Sequence, residues 1–438
     1  MDGISSESFS KISGNAPSRG FHQDDRNGGE VFRIHQCPNG LTLLGQPMPD
    51  VSSAAMTIAV RCGSAHDPDG AEGAAAVAAE WLLRGAADRD SRALNDALDA
   101  LGVQHSESVH SEHIHLSAAM LGRNLPAVLD LYADILQAPR LGDDAFEPCR
   151  ALIRQDLQSL DDEPARKCNY LLREKFFPYP LGRLIYGKPE SLEAMTPAGL
   201  REHVRRYFTP AETVLAVAGA FEWEPFVDLV EKRLGGWSGP AQPAPTIQPA
   251  AGGTTHIEKD TAQTHIALAY KAPTCDEADY YPIRLAETVL SRGMGSRLFT
   301  EVREKRGLVY HISAGYLCLK DHAGMFVYAG SRPDLAQQTF DVTLAELHRL
   351  GKDVTPEELD RAKTQLRSAL VMQGASTTSR SGTLASDWYH LGRLRTLAEV
   401  SRCVQAVTRQ DILRSLEKYP ARDLTLLTVG PASLRKDS

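Results

Sequence analysis

The sequence lacks most of the features that mark membrane-spanning, nucleic-acid-binding and disulfide-stabilised proteins. It contains no run of about 18 apolar residues, so we expect no transmembrane helix. Its 48 basic residues are outnumbered by 56 acidic ones, giving a net charge of −8, and no basic stripe suited to nucleic acid occurs. The seven cysteines include no close C-x-x-C pair, which predicts reduced, mostly buried thiols rather than a disulfide framework or a cysteine zinc knuckle.

The first 30 residues lack the basic-then-apolar order of a signal peptide. They are rich in Ser, Gly, Asn and Asp, a composition typical of a disordered leader, and we expect residues 1–30 to form one. A cytoplasmic location follows as the default expectation. No phosphate-binding glycine loop and no G-x-S-x-G elbow occurs, so nucleotide binding and serine hydrolysis have no support in the sequence.

The body of the chain predicts two copies of one α+β domain. Short β-prone runs are interleaved with alanine-rich and amphipathic helical stretches. Three apolar segments of the first half recur in the second half, in the same order and at nearly the same spacing. The matched segments are 57–60 with 265–268, 80–85 with 288–293, and 215–219 with 426–430.

Residues 238–253 contain four prolines among Ala, Gly and Gln, which is typical of a semi-extended linker. This segment separates an N-terminal domain at 31–237 from a C-terminal domain at 254–438. We expect each domain to be an α/β roll, a sheet covered by helices on one side, and the two domains to fold together as a clamshell.

Histidines are densest in one short stretch, which holds His105, His110, His113 and His115. Residues 109–119 alternate like a strand, and this would place His113 and His115 on the same face. Such an H-x-H pair can bind a metal ion. A polar strand that lines a chamber and a set of ordinary surface histidines are the alternatives.

The stretch from Gly63 to Pro68, with the helix after it up to Gly85, resembles the insulinase/pitrilysin-like family of zinc peptidases, which includes the mitochondrial processing peptidase. That family carries the inverted zinc motif H-x-x-E-H on this helix. Two histidines four residues apart hold zinc, and the glutamate acts as general base on the bound water. The resemblance extends over nearly the whole folded chain, including 176–187, 207–210 and 217–219.

The zinc motif is degenerate in this sequence. The resemblance places Ala76 and Glu80 at the two histidine positions, Ala79 at the general-base position and Asp156 at the position of the third ligand. Glu80 and Asp156 alone would suit calcium or magnesium better than zinc, and only weakly, and a water-filled polar remnant is the alternative. We therefore expect no intact catalytic residue and no metal in this chain.

The second half keeps a different element of the family. Residues 295–310 resemble its R/Y element, which implies that Arg303 and Tyr310 bind substrate. A guanidinium and a phenol suit a peptide carbonyl or a tetrahedral oxyanion, because both are donors to developing negative charge. From the residues alone, an arginine paired with Glu301 or Glu304 and a tyrosine packed on a strand is the alternative.

The resemblance implies a non-catalytic, substrate-binding subunit of a heterodimeric zinc metallopeptidase that hydrolyses peptides or small proteins. Zinc and the general base would come from a homologous partner chain, and this chain alone would be inactive. The alternative is a peptide-binding or structural scaffold protein of the same fold. An active peptidase with an altered metal site at Glu80 and Asp156 is a third hypothesis, which Ala79 disfavours because it removes the base. Only residues 293–295 stand where the mitochondrial subunit has a long glycine-rich loop, so presequence recognition is not implied.

Overall fold

The computed structural model describes residues 21–24 and 29–435. Most of the predicted leader, 1–20 and 25–28, lies outside the described residues. Disorder is the wrong prediction for its later part, because β1 (Phe21–Asp24) pairs antiparallel with β2 (Val31–Gln36). Pairing with the edge of β2 satisfies the backbone of this short strand, which a composition averaged over 30 residues does not reveal. No helix in the described part of the chain is long and apolar enough to cross a membrane.

The remaining strands and the helices alternate along the chain. The strands are β3 (Thr42–Pro47), β4 (Ser53–Val60), β5 (Gly85–Ala86), β6 (Arg89–Asp90), β7 (Gln104–Val109), β8 (Ile114–Leu121), β9 (Val214–Gly219), β10 (Thr254–Glu258), β11 (Thr264–Lys271), β12 (Val309–Cys318), β13 (Ala323–Ser331) and β14 (Thr425–Gly430). The helices are α1 (Ala74–Leu82), α2 (Ser91–Ala100), α3 (Leu125–Gln137), α4 (Asp143–Ser159), α5 (Pro164–Phe176), α6 (Pro189–Ala194), α7 (Pro197–Tyr207), α8 (Trp223–Leu234), α9 (Tyr280–Ser291), α10 (Ala336–Asp353), α11 (Pro356–Gly374), α12 (Thr377–Leu391), α13 (Leu397–Ala406) and α14 (Arg409–Lys418). A π-helical segment, Phe299–Glu304, precedes β12.

The strands form two large sheets with the same internal order. The first sheet runs β1-β2-β3-β9-β4-β8-β7, the second runs β10-β14-β11-β13-β12, and β5 and β6 form a separate small pair. In the shared five strands the first pair is parallel and each later pair is antiparallel. The prediction of two related α+β domains is therefore confirmed. The predicted linker, 238–253, lies between α8 and β10 and contains no helix or strand.

The strand predicted over 109–119 is wrong as a single element. It consists of the end of β7 and most of β8, joined by a turn at 110–113. The turn leaves the sheet because its carbonyl groups bond elsewhere: His110 accepts from the Ser64 amide at 3.0 Å and Ser111 from the Ala65 amide at 2.8 Å. The alternating pattern continues across the turn, and this hides the hairpin in the sequence.

Each sheet is covered on one face by helices of its own half and on the other face by a helix of the opposite half. Helix α12 packs on β3, β4 and β9, where Leu384 and Ala385 join a buried cluster with Ala59 and Ala216. Helix α5 packs in the same way on β11 and β14. The expectation of helices on one side thus holds for each half by itself. In addition, α5 and α12 each cover the sheet of the opposite half, and this exchange of helices was not predicted.

A buried ion pair fixes α12 to the first sheet. The Arg380 side chain is 3 % exposed and donates to Gln46 Oε1 and Glu30 Oε1, both at 2.7 Å. The Glu30 carboxylate also accepts from Gln46 Nε2 at 2.9 Å and from the Leu397 backbone amide, at the start of α13, at 2.6 Å. Glu30, the last residue of the predicted leader, therefore holds the two halves together.

We expect Arg380→Met to destabilise the protein by about 3 kcal/mol, because it leaves the Glu30 carboxylate mostly buried without its cation. The double variant Glu30→Gln/Arg380→Met should recover most of that loss. Urea unfolding followed by circular dichroism measures both. Arg205→Ala, which removes an exposed ion pair with Glu202, is the matched control and should cost less than about 0.5 kcal/mol. A double variant as unstable as the single one would contradict the role of the pair.

Histidines fill part of the space between the first sheet and the helices that cover it. Burial, with Arg61 nearby, lowers the pKa of His66 to about 4, and burial also lowers those of His115 and His203 to about 4. His113 is 8 % exposed, and burial likewise lowers its pKa well below the usual value. These rings are neutral in the folded chain and take up a proton when it unfolds.

Because the folded-state pKa of His115, about 4, lies below its ordinary value of 6.5, we expect stability to be lost as pH falls between these values. The variant His115→Gln removes this penalty. As the pH is lowered from about 7.5 to about 4.5, the unfolding free energy of the variant should rise relative to that of the parent by about 2 to 3 kcal/mol. Urea unfolding at several pH values measures the difference. His105→Gln, at an exposed position, is the control, and an equal gain in both variants would contradict the assignment.

Candidate functional site

The helix that carries the degenerate motif, α1, is buried along most of its length. Its high alanine content favours a helix, and its start is fixed by Asp67, whose carboxylate accepts from the amides of Gly73 at 2.7 Å and Ala75 at 2.8 Å. Ala76 is 4 % exposed and Ala79 is 2 % exposed. At both positions a methyl group packs in the core and offers no donor atom to a metal ion.

The third position of the motif, Glu80, is engaged by a cation rather than left free. Its carboxylate accepts from Arg84 at 3.0 Å, one helical turn later. A second carboxylate, Glu107 on β7, lies near Glu80. Burial raises the pKa of Glu107, and the negative charge of Glu80 raises it further. Burial also raises the pKa of the Cys149 thiol on α4, although a hydrogen bond from Arg84 acts in the opposite direction and lowers it. Arg84, Glu107 and Cys149 are the neighbours of the motif that the sequence did not indicate.

Asp156 lies on α4 with its side chain exposed. Its backbone carbonyl accepts from Ser159 Oγ at 2.8 Å. Among the described residues, neither Glu80 nor Asp156 belongs to a group of three or more side chains that could ligate a metal. With two methyl groups, an ion-paired glutamate and an exposed aspartate, these positions do not fit the zinc ion that the H-x-x-E-H motif holds.

Arg303 and Tyr310 are adjacent in the structure. The guanidinium carbon of Arg303 lies 4.9 Å from the centre of the Phe299 ring and 5.2 Å from that of Tyr310. The Arg303 side chain makes no ion pair or hydrogen bond within the described chain, and its guanidinium N–H groups keep their donor capacity. The alternative of a pair with Glu301 is not what the structure shows, because that carboxylate binds Lys305 at 2.8 Å and also Arg306.

Tyr310 is exposed because the edge strand β12 has an irregular register at that point. The pairing of β12 with β13 shifts between Val309 and His311, and this leaves Tyr310 between two paired residues. A bulge of this kind turns a side chain away from the sheet. Tyr310 is 80 % exposed, so its hydroxyl group is open to a ligand.

A cavity of about 450 Å³ lies between the two halves. Polar and charged side chains from both halves line it: Arg61, His110, Glu112, His113, His115, Arg173, Glu212, Cys318, Lys320, Tyr389 and His390. Within the described chain, its lining includes none of Ala76, Ala79, Glu80, Arg303 and Tyr310. The degenerate motif and the Arg303–Tyr310 pair thus lie outside the lining of this cavity.

The histidines of the hairpin between β7 and β8 form one wall of this cavity. The ring centres of His110 and His115 are 4.6 Å apart, and the His113 ring meets Tyr389 of α12 edge-on at 4.4 Å. Tyr389 also donates to the Glu112 carboxylate. In the described part of the chain these histidines do not form a metal-ligating group, and their arrangement matches a polar wall of a chamber better than a metal site.

Two family descriptions match consecutive parts of the chain. "Insulinase (Peptidase family M16)" matches residues 45–188, and "Peptidase M16 inactive domain" matches residues 194–366. The first match contains α1 with its degenerate motif, and the second contains Arg303 and Tyr310.

Relatives and solved structures agree with these matches over nearly the full chain. An uncharacterized zinc protease of Mycobacterium tuberculosis is 28 % identical over 403 residues, 90 % of this chain and 92 % of that protein. The uncharacterized zinc protease YmxG of Bacillus subtilis is 25 % identical over 92 % of this chain and 99 % of its own. The crystal structure of a peptidase M16 inactive domain from Pseudomonas fluorescens superposes with a TM-score of 0.85 at 21 % identity, covering 92 % of this chain and 99 % of that one. The chain belongs to the insulinase-like peptidase family M16.

Proposed function

We propose that this chain is a non-catalytic, substrate-binding subunit of a zinc metallopeptidase and that a homologous partner chain supplies zinc and the general base. The observation that carries the proposal is a contrast between the two halves. The positions that would ligate zinc and activate water are methyl groups in the core, at Ala76 and Ala79, whereas the partly buried Arg303 and the exposed Tyr310 keep side-chain donors. The match of 194–366 to an inactive domain of the family supports the same division of labour.

In this proposal the role of Arg303 is to bind and orient a peptide. The rings of Phe299 and Tyr310 hold the planar guanidinium between them, which restricts its rotation before substrate arrives. Its N–H groups and the Tyr310 hydroxyl then donate to a peptide carbonyl, and they bind more strongly as negative charge develops on that oxygen. This chain positions the carbonyl and polarises it, and the partner provides the attacking water.

The experiment is a reconstitution. The chain is purified, mixed with a homologous chain of the same genome that carries an intact H-x-x-E-H motif, and assayed with a fluorogenic peptide. We expect neither chain alone to match the activity of the mixture. Arg303→Ala should lower kcat/KM of the mixture roughly a hundredfold, because it removes a donor to the developing oxyanion, while the partner still binds with unchanged affinity.

Two further variants make the assay specific. Tyr310→Phe keeps the ring against Arg303 and removes only the hydroxyl, so a roughly tenfold loss in kcat/KM is expected. Arg332→Ala removes another exposed arginine of the same half, whose ion pair is with Asp334, and should leave the activity unchanged. An unchanged rate with Arg303→Ala would refute the role of the pair. A mixture that binds peptide without cleaving it would instead favour a peptide-binding scaffold.

A further inference from the structure

A cluster of two cysteines and one histidine lies outside the degenerate motif. Cys275 follows β11, Cys318 ends β12 and His390 lies near the end of α12. One ligand atom from each residue lies within 4.8 Å of the others, and each residue is partly buried. Three elements that are far apart in sequence therefore bring together the ligand types that zinc prefers.

The cluster is held in place by its surroundings. The Tyr316 hydroxyl donates to the Pro273 carbonyl at 2.7 Å, which fixes the loop that carries Cys275. The same hydroxyl lies 3.8 Å from the Cys275 sulfur. Cys318 and Tyr316 both lie on β12, two residues apart and on the same face of the strand. The two sulfurs are thus positioned by one strand and by the loop bonded to it.

His390 brings an unsatisfied ring nitrogen to the cluster. The Nδ1 atom of His390 is buried and has no hydrogen-bond partner among the described residues. A buried ring nitrogen without a partner is costly unless it binds something.

We propose that Cys275, Cys318 and His390 bind one Zn²⁺ ion. In a tetrahedral zinc site the sulfurs lie about 3.8 Å from each other and about 3.5 Å from the imidazole nitrogen, so the atoms need to move by no more than about 1 Å. Binding converts both thiols to thiolates and releases their two protons. Two thiolates balance the charge of the ion, and the site is then neutral.

A route to the site exists through the cavity between the halves. Cys318 and His390 both line it, and water in the cavity can supply the fourth ligand. The ion would bridge β12 of the second sheet and α12, which packs on the first sheet. Zinc bound here would therefore stabilise the contact between the two halves. The proposal does not rest on the proposed function, because none of these residues belongs to the degenerate motif or to the Arg303–Tyr310 pair.

Another cluster in the described chain provides an internal comparison. His35, Cys37 and Glu231 also lie within ligand distance of one another, but His35 Nε2 already bonds the Glu231 carboxylate at 2.8 Å. This cluster offers a single sulfur, and its histidine and its carboxylate are already bonded to each other. It is therefore the weaker zinc site and serves as the control.

The test uses the full chain, purified alone under reducing conditions and freed of metal with a chelator. Titration with Co²⁺ should give a thiolate-to-cobalt charge-transfer band and the intense visible bands of tetrahedral cobalt, saturating at one equivalent. Zn²⁺ should displace the cobalt and raise the melting temperature. Cys318→Ser and Cys275→Ser should abolish the charge-transfer band, and His390→Ala should weaken binding at least tenfold. Cys37→Ser should bind like the parent.

A second measurement avoids any dependence on the folding of the variants. In the unmodified chain, Zn²⁺ should protect Cys275 and Cys318 from alkylation, as read by peptide mass, while Cys403 reacts equally with and without the ion. Absence of metal binding, full binding by Cys318→Ser, or a Cys275–Cys318 disulfide in the reduced preparation would each overturn the proposal. These readouts use the chain without a partner, so they are independent of the peptidase assay.

Discussion

The exchange of α5 and α12 between the halves is the interaction on which the rest of the structure depends. The central strands β4, β9, β11 and β14 are buried along nearly their whole length, so each sheet has two apolar faces to cover. The helices of one half cover only one of them. The second face is closed by the helix from the other half, and a sheet separated from its partner would expose it to water. The halves are therefore parts of one folding unit, although each contains a full copy of the sheet.

The degenerate motif is enclosed by the core of the first half itself. A zinc-binding helix needs its ligand face open to water and substrate, but α1 has Ala76 and Ala79 closed into the core of the first half. Methyl groups at these two positions offer no ligand atom, and the remaining Glu80 is paired with the nearby Arg84. The Arg303–Tyr310 pair is free of this constraint, since Arg303 lies in the π-helical segment before β12 and Tyr310 at the irregular start of this edge strand, where exposure costs little packing. The degenerate motif and the Arg303–Tyr310 pair are thus compatible within a single stable fold.

Much of this could be predicted from the sequence, and the failures have identifiable causes. The repeated segments predicted the two related domains because two of the three matched pairs are buried central strands, β4 with β11 and β9 with β14, and the third pair lies at the ends of α1 and α9. The exchange of α5 and α12 could not be predicted, since the continuous apolar pattern of a central strand indicates that both of its faces are buried but not which helix covers each face. Two further features join residues that are far apart in the sequence, and no pattern of spacing marks them. These are the ion pair of Arg380 with Glu30 and the cluster of Cys275, Cys318 and His390. Only the folded chain brings them together.

Strand β12 connects the two proposed sites and sets how far they can influence each other. Tyr310 lies at its irregular start and Cys318 at its end, and the regular pairing with β13 runs from His311 to Cys318. Zinc at Cys318 would restrain the regular part of the strand and α12, and so the shape of the cavity between the halves. Tyr310 lies in the irregularity itself, where backbone pairing does not transmit that restraint directly. Zinc therefore acts on the cavity and on the contact between the halves, and the Arg303–Tyr310 pair keeps its freedom to meet a ligand.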